Sequence, residues 1–259
     1  MDFALSAVLI ALGLFLAMLV LLEAGRRYGA RRLAEDPEGA GAGTGAIEGA
    51  MFALLGLLVA FTFSGGATKF DGRRDLIVQE ANAIGTAYLR LDLLPEDARA
   101  ELRQAFRDYL DARLATYRKL PDLEAAAAEH DRATALQGEI WGKAVIAVNR
   151  PGAAGGAPML LLPALNDMID ISTTRITATD MHPPLVVYGL LFGLALMTSV
   201  LAGVGMAGSK HRSWVHMVGF AGALALAIYV IVDLEYPRSG LIQVDAFDTV
   251  LDQVRASMT

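Results

Sequence analysis

The chain has 259 residues, 54% of them hydrophobic, with 19% charged and a formal net charge of -6. So much apolar surface in a chain of this size points to lipid, while the charge must be segregated along it. The acidic balance and the lack of basic runs interleaved with aromatics exclude a nucleic-acid partner, and without cysteine there is no disulfide or thiolate metal site.

Four segments are apolar enough to cross a bilayer. The first runs from Phe3 to Leu22 without a single Lys, Arg, Asp or Glu. A helix of that length rises about 30 Å, the thickness of the hydrocarbon core. Arg26, Arg27, Arg31 and Arg32 follow this run, whereas a cleaved signal peptide carries its positive charge in front. The second segment covers about Ala46 to Gly66, the third follows Pro183 and Pro184 to about Ala207, and the fourth spans Trp214 to Val232. Glu48 is the one charge within these three, near an end.

Short links, one containing Pro37 and the Gly and Ala tract from Gly39 to Gly45, the other around Ser209 to Ser213, predict antiparallel neighbours and hence two hairpins. Gly45 with Gly49, Gly189 with Gly193, and Gly203 near Gly205 are candidate sites of close helix approach. The expected organisation is a first hairpin over residues 1–67, an extramembrane helical domain over 68–182, a second hairpin over 183–233, and a C-terminal tail over 234–259 with one amphipathic helix.

The middle segment reads as helix throughout. Phe70, Ile77, Ile84 and Leu91 recur every seven residues, with Ala81 and Tyr88 between them, which predicts a helix to about Leu94. Pro95 opens a second helix, whose one side carries Leu102, Phe106, Tyr109, Arg113 and Tyr117. A third is expected from about Asp122 to Val148, then a loop over Pro151 to Pro158, then a fourth helix with Leu162, Leu165, Ile169 and Ile176 at helical spacing. No strand is expected.

The stretch from Phe61 to Asp71 passes from greasy to hydroxyl-bearing to charged within about three helical turns. If copies of the second span surround an axis, Phe61 or Phe63 would form a constriction, Thr62, Ser64 and Thr68 would supply hydroxyls, and Lys69, Arg73 and Arg74 would form a positive vestibule that attracts anions, giving an anion-conducting channel. The alternative is an ordinary membrane exit with an aromatic belt and basic anchors. Asn82 and Thr86 share a face and are candidates for contact with another helix. Glu80 is six and seven positions from Arg74 and Arg73, so pairing along its own helix does not follow from the spacing.

His130, His182, His211 and His216 match no metal-binding spacing, and no nucleophile, acid–base pair or phosphate loop is recognisable, so neither metal, cofactor nor catalytic residues are expected. The links carry Arg26, Arg27, Arg31, Arg32, Lys210 and Arg212, and by charge belong in the cytoplasm, which places the termini and the middle domain outside. Lys69, Arg73, Arg74 and Arg175 on the other flank oppose that assignment.

The stretch AFTFSGGATKFDGRRDLIVQEANAIGTAYLRLDLL ending at Leu94, and VDLEYPRSGLIQV over residues 232–244, resemble the bacterial bestrophin-like domain family of unknown function. The resemblance implies an all-α integral membrane protein of the bacterial inner membrane with a distant likeness to bestrophin channels. Those are pentameric, conduct anions or in some bacterial relatives cations, and line their pore with the second span. It therefore implies a homo-oligomer passing small ions, with Phe61, Phe63 and Ser64 in the pore-lining stretch, and a middle domain in the cytosol. A non-conducting sensor or scaffold, with a helical domain that binds a partner, is the competing expectation.

Overall fold

The computed structural model describes residues 3–36, 44–209 and 213–258. Pro37, residues 39–43 of the Gly and Ala tract, Lys210, His211 and Arg212 lie outside the described residues. The elements are α1 (Phe3–Glu35), α2 (Thr44–Arg90), α3 (Glu96–Arg118), α4 (Leu123–Ala147), α5 (Ala157–Asp180), α6 (Leu185–Gly205), α7 (Trp214–Glu235) and α8 (Thr249–Ser257), with two short 3₁₀ turns at Leu91–Leu93 and Asp245–Asp248. Every element among the described residues is helical. Four helical segments are long and apolar enough to cross a membrane.

The helix ends follow local chemistry. Glu96 and Asp97 occupy the first turn of α3, where carboxylates oppose the positive end of the helix dipole. Asp122 caps α4 by accepting from the Ala125 N–H at 3.0 Å. Pro158 sits in the first turn of α5, and Pro183 and Pro184 part α5 from α6. Both α1 and α2 continue well past their apolar runs. At 47 residues α2 is about 70 Å long, more than twice the hydrocarbon thickness.

Close contacts divide the chain into two units, Met1–Phe70 with His182–Ile242 and Asp71–Met181 with Gln243–Thr259. The first unit contains α1, α6, α7 and the N-terminal part of α2. Its closest helix pairs are α1 with α6 and α1 with α7, not the sequential pairs α1/α2 and α6/α7 that the short links predict. The reason is steric. A Cβ at Gly25 would meet the Val200 carbonyl oxygen, and one at Gly203 would meet the Leu22 carbonyl oxygen and the Arg26 nitrogen, so the α1 and α6 backbones touch directly. Gly203 is one of the expected contact positions, whereas Gly45, Gly49, Gly189 and Gly193 face open space in this chain.

Met18, Leu22, Leu191, Ala221 and Ile228 fill the centre of this unit, and α2 joins them mainly through Leu55 and through Phe52, which sits edge-on to Phe220 at 6.1 Å. The buried hydroxyls of Thr198 and Ser199 donate back to the carbonyls of Leu194 and Ala195 at 2.7 Å, so both are satisfied within their own helix.

The second unit packs α3 against α4 and α4 against α5, with α8 on α3. Ile77 and Ile84 on α2, and Leu91 at the start of the 3₁₀ turn that follows it, are at most 1% exposed, so the seven-residue stripe marks the covered face. Phe106 is buried against Tyr88 at 5.9 Å. The amphipathic C-terminal helix is held to α3 by Arg255, which grips Asp111 through Nε and Nη2 at 2.7 and 2.9 Å.

The α1–α6 contact predicts a position-specific effect. Gly203→Leu is expected to cost about 2 kcal/mol or more, as overpacking at a rigid contact does. Gly193→Leu, at an open position, should stay within about 0.5 kcal/mol. Thermal unfolding of the two variants in detergent measures the difference.

Candidate functional site

The second helix is where polar groups and an apolar span meet. Phe61, Thr68, Asp75, Asn82 and Leu89 recur every seven residues along it, and all are exposed, Phe61 at 67% and Leu89 at 69%. Ser64, Asp71 and Thr86 share that exposed side. Asn82 and Thr86, expected to meet another helix, therefore continue the register of Phe61, Ser64 and Thr68. The most apolar stretch of this helix is only 6% buried, against 22–28% in the other three candidate spans.

The remaining candidates lie elsewhere on the helix. Thr62 is turned about 100° from Phe61 and donates to the Leu58 carbonyl at 2.8 Å. Phe63 is 47% exposed but about 160° around from Phe61. Thr68 keeps its place on the open face while donating to the Ser64 carbonyl at 2.9 Å.

The basic residues have different partners within the chain. Lys69 reaches the buried Glu235 at 3.3 Å. Arg73 is 7% exposed and donates to the carbonyls of Ala178 at 3.2 Å and Met181 at 3.4 Å, at the C-terminal end of α5 where carbonyls lack helical partners. Arg74 pairs with Asp71 at 2.9 Å and lies over the Phe247 ring at 4.1 Å. Two of the three cations thus point to the covered side, and the charges on the open face are Asp71 and Asp75.

A buried ion network holds that covered side in the second unit. Glu80 is fully buried, and its Oε1 accepts from Arg113 Nη2 at 2.6 Å and Nε at 2.7 Å. Its Oε2 accepts from Arg175 Nη1 at 2.5 Å. Arg175 also donates to Asp248 at 2.7 Å and stacks over Tyr117 at 4.0 Å, and Arg113 reaches the Tyr117 hydroxyl at 3.1 Å. Burial opposes the Arg113 charge, but Glu80, Tyr117 and Tyr109 more than offset it, so the guanidinium is held above its ordinary range. Arg175 behaves alike: burial opposes its charge, and Tyr117, Glu80 and Asp248 raise it. Burial, reinforced by Glu80, pushes the Tyr109 phenol up to about 12.

Glu80 joins α2 to α3 and α5, a role that a search for partners on its own helix misses. The signal for it is Arg113, which occupies the apolar register of α3 between Tyr109 and Tyr117. A cation there needs a buried partner.

The C-terminal motif is also structural. Asp233, fully buried at the end of α7, accepts from the backbone N–H of Leu241 at 3.0 Å and of Ile242 at 2.8 Å. A Cβ at Gly240 would collide with the Asp233 carboxylate, which accounts for glycine there. His182 stacks on Tyr236 at 4.6 Å, with its Nδ1 3.7 Å from Glu235. Among the described residues, no group of three His, Asp or Glu is placed to hold a metal ion.

The model of the bestrophin-like domain matches residues 12–246, which include both sequence motifs, the open face of α2 and the Asp233 hook. The chain belongs to the bestrophin-like domain family. Comparison with curated proteins and with solved structures returned no match. Membership accounts for the two motifs together: one supplies the two-faced helix, the other the turn that ends the last span.

Two measurements address the buried network. Glu80→Gln leaves the buried Arg113 without its carboxylate and Arg175 with Asp248 alone, and should cost about 3–5 kcal/mol in chemical denaturation. Tyr109 has a folded pKa raised above its unfolded value of 10.0. Its contribution is therefore complete below pH 10 and is lost as pH rises toward about 12. In phenolate absorbance titrations, Tyr109→Phe should remove one late-titrating tyrosine and reduce the loss of stability between those pH values.

Proposed function

We propose that this protein is a homo-oligomeric ion channel of the bacterial inner membrane, in which the second helix of each copy lines a shared axis. The observation that carries this reading is the open face of α2: a helix with a span-length apolar run exposes Ser64, Thr68, Asp71, Asp75, Asn82 and Thr86 in one continuous register. Ser64 lies at the exit of the apolar run, where polar groups normally face a bundle interior or water, and Thr68, Asp71, Asp75, Asn82 and Thr86 carry the same face on beyond it. Copies arranged around a water-filled axis satisfy them together. Phe61 then forms the narrow apolar ring, with the hydroxyls and carboxylates following it.

In this reading α1, the N-terminal part of α2, α6 and α7 are the membrane spans, and residues 68–182 form the extramembrane domain. Five copies, the number implied by the family resemblance, surround the axis. Catalysis has no part in it.

The sign of the lining charge bears on the ion. Lys69 and Arg73 are engaged on the covered side and Arg74 offsets Asp71, while Asp75 occupies the open face. We therefore assign cations as the favoured ions, in place of the anions that a basic vestibule would attract.

Purified protein in liposomes should pass monovalent cations. Phe61→Ala should change the unitary conductance severalfold. Asp75→Asn should move the reversal potential in a salt gradient toward the chloride equilibrium value. An intact oligomer that passes no ion across a range of voltage and pH would overturn the proposal and leave the scaffold reading.

A further inference from the structure

A groove of about 600 Å³ runs along α1 from Leu19 to Arg31 and is also lined by Trp214, the first residue of α7. Its walls change character along its length. Leu19, Val20 and Ala24 make the apolar end, and Arg27, Tyr28, Arg31 and Trp214 make the other. Val20 is 67% exposed, Tyr28 57% and Trp214 53%, so the aromatic rings and the aliphatic surface stand open together. One carboxylate, Glu23, also lines the groove, and it is taken up by Arg26 at 3.0 Å and Arg27 at 2.7 Å. Arg31, also exposed, is therefore the lining cation best placed to receive an anion.

We infer that this groove binds the headgroup and upper acyl chain of an anionic phospholipid. From Leu19 to Arg31 α1 rises about 18 Å, enough to pass from the hydrocarbon into the headgroup layer. The apolar run of α1 ends at Leu22 and α7 starts at Trp214, so the cationic end lies at the level where arginines and indoles meet headgroups. A guanidinium offers paired donors to a phosphodiester, Tyr28 and Trp214 supply amphipathic rings at the glycerol level, and Val20 and Leu19 receive the chain. Charge complementarity favours an anionic lipid over a zwitterionic one, and the aliphatic half distinguishes a lipid from a free phosphate.

The test uses the whole protein purified in detergent and titrated with phosphatidylglycerol, phosphatidylcholine or inorganic phosphate, with bound species counted by native mass spectrometry. The expected result is retention of phosphatidylglycerol by each chain, at least tenfold preferred over phosphatidylcholine, with no saturable binding of phosphate. Arg31→Ala and Trp214→Ala should each weaken retention at least fivefold. Arg32→Ala is the control, since it removes the same charge one position away and outside the groove. Equal losses in Arg31→Ala and Arg32→Ala would reduce the effect to diffuse electrostatics and overturn the site, as would binding of phosphate alone. Absence of lipid together with crosslinking between copies through a cysteine at Val20 would assign the groove to a second chain instead. Thermal midpoints of all variants separate loss of lipid from loss of fold.

Discussion

A single buried carboxylate organises the second unit. Glu80 has no access to water, and its charge can be tolerated only if every lone pair finds a donor. Arg113 and Arg175 supply them from two other helices, and Asp248 from the C-terminal segment balances the second guanidinium. The geometry of four segments is thereby tied to one group. A hydrophobic core alone would allow small sliding adjustments; a carboxylate bridged on both oxygens sets the rotation of α2 about its own axis. That rotation decides which residues of α2 are covered and which are presented outward.

The two faces of α2 differ accordingly. One carries Ile77 and Ile84 and is complete within the chain. The other carries Thr68, Asp75 and Asn82 and is exposed among the described residues. An exposed arrangement of polar groups that persists over several turns is best understood through what surrounds it: water, ions or further copies.

Much of this was legible in the residues. The four apolar spans stand out because they lack charge, and the covered stripe of α2 because a seven-residue apolar repeat keeps to one side of a helix and must be packed against something. The exposed counterpart from Phe61 to Leu89 follows from the same arithmetic. What escaped were relationships between distant parts of the chain. Glu80 lies 33 positions from Arg113 and 95 from Arg175, and local spacing cannot connect them. Lys69, Arg73 and Arg74 are close in sequence, and because a helix turns each residue by about 100° they reach different partners within the chain, which their spacing alone does not name. Glycine pairs were similarly ambiguous: Gly203 marks a contact because α1 brings Gly25 and Gly29 to the same helix, whereas Gly189 and Gly193 have no such partner within the chain.

The contact of Gly25 with Val200 and of Gly203 with Leu22 has a mechanical consequence. Helices that meet through bare backbone have no rotamers to freeze on association and none with which to accommodate later movement. The α1–α6 pair therefore acts as a stator. Among the described residues, α2 makes no backbone approach to the other spans as extensive as that pair; Phe52 and Leu55 touch them through side chains that can change rotamer. Any tilt or twist within this unit is concentrated on the helix that carries the open face.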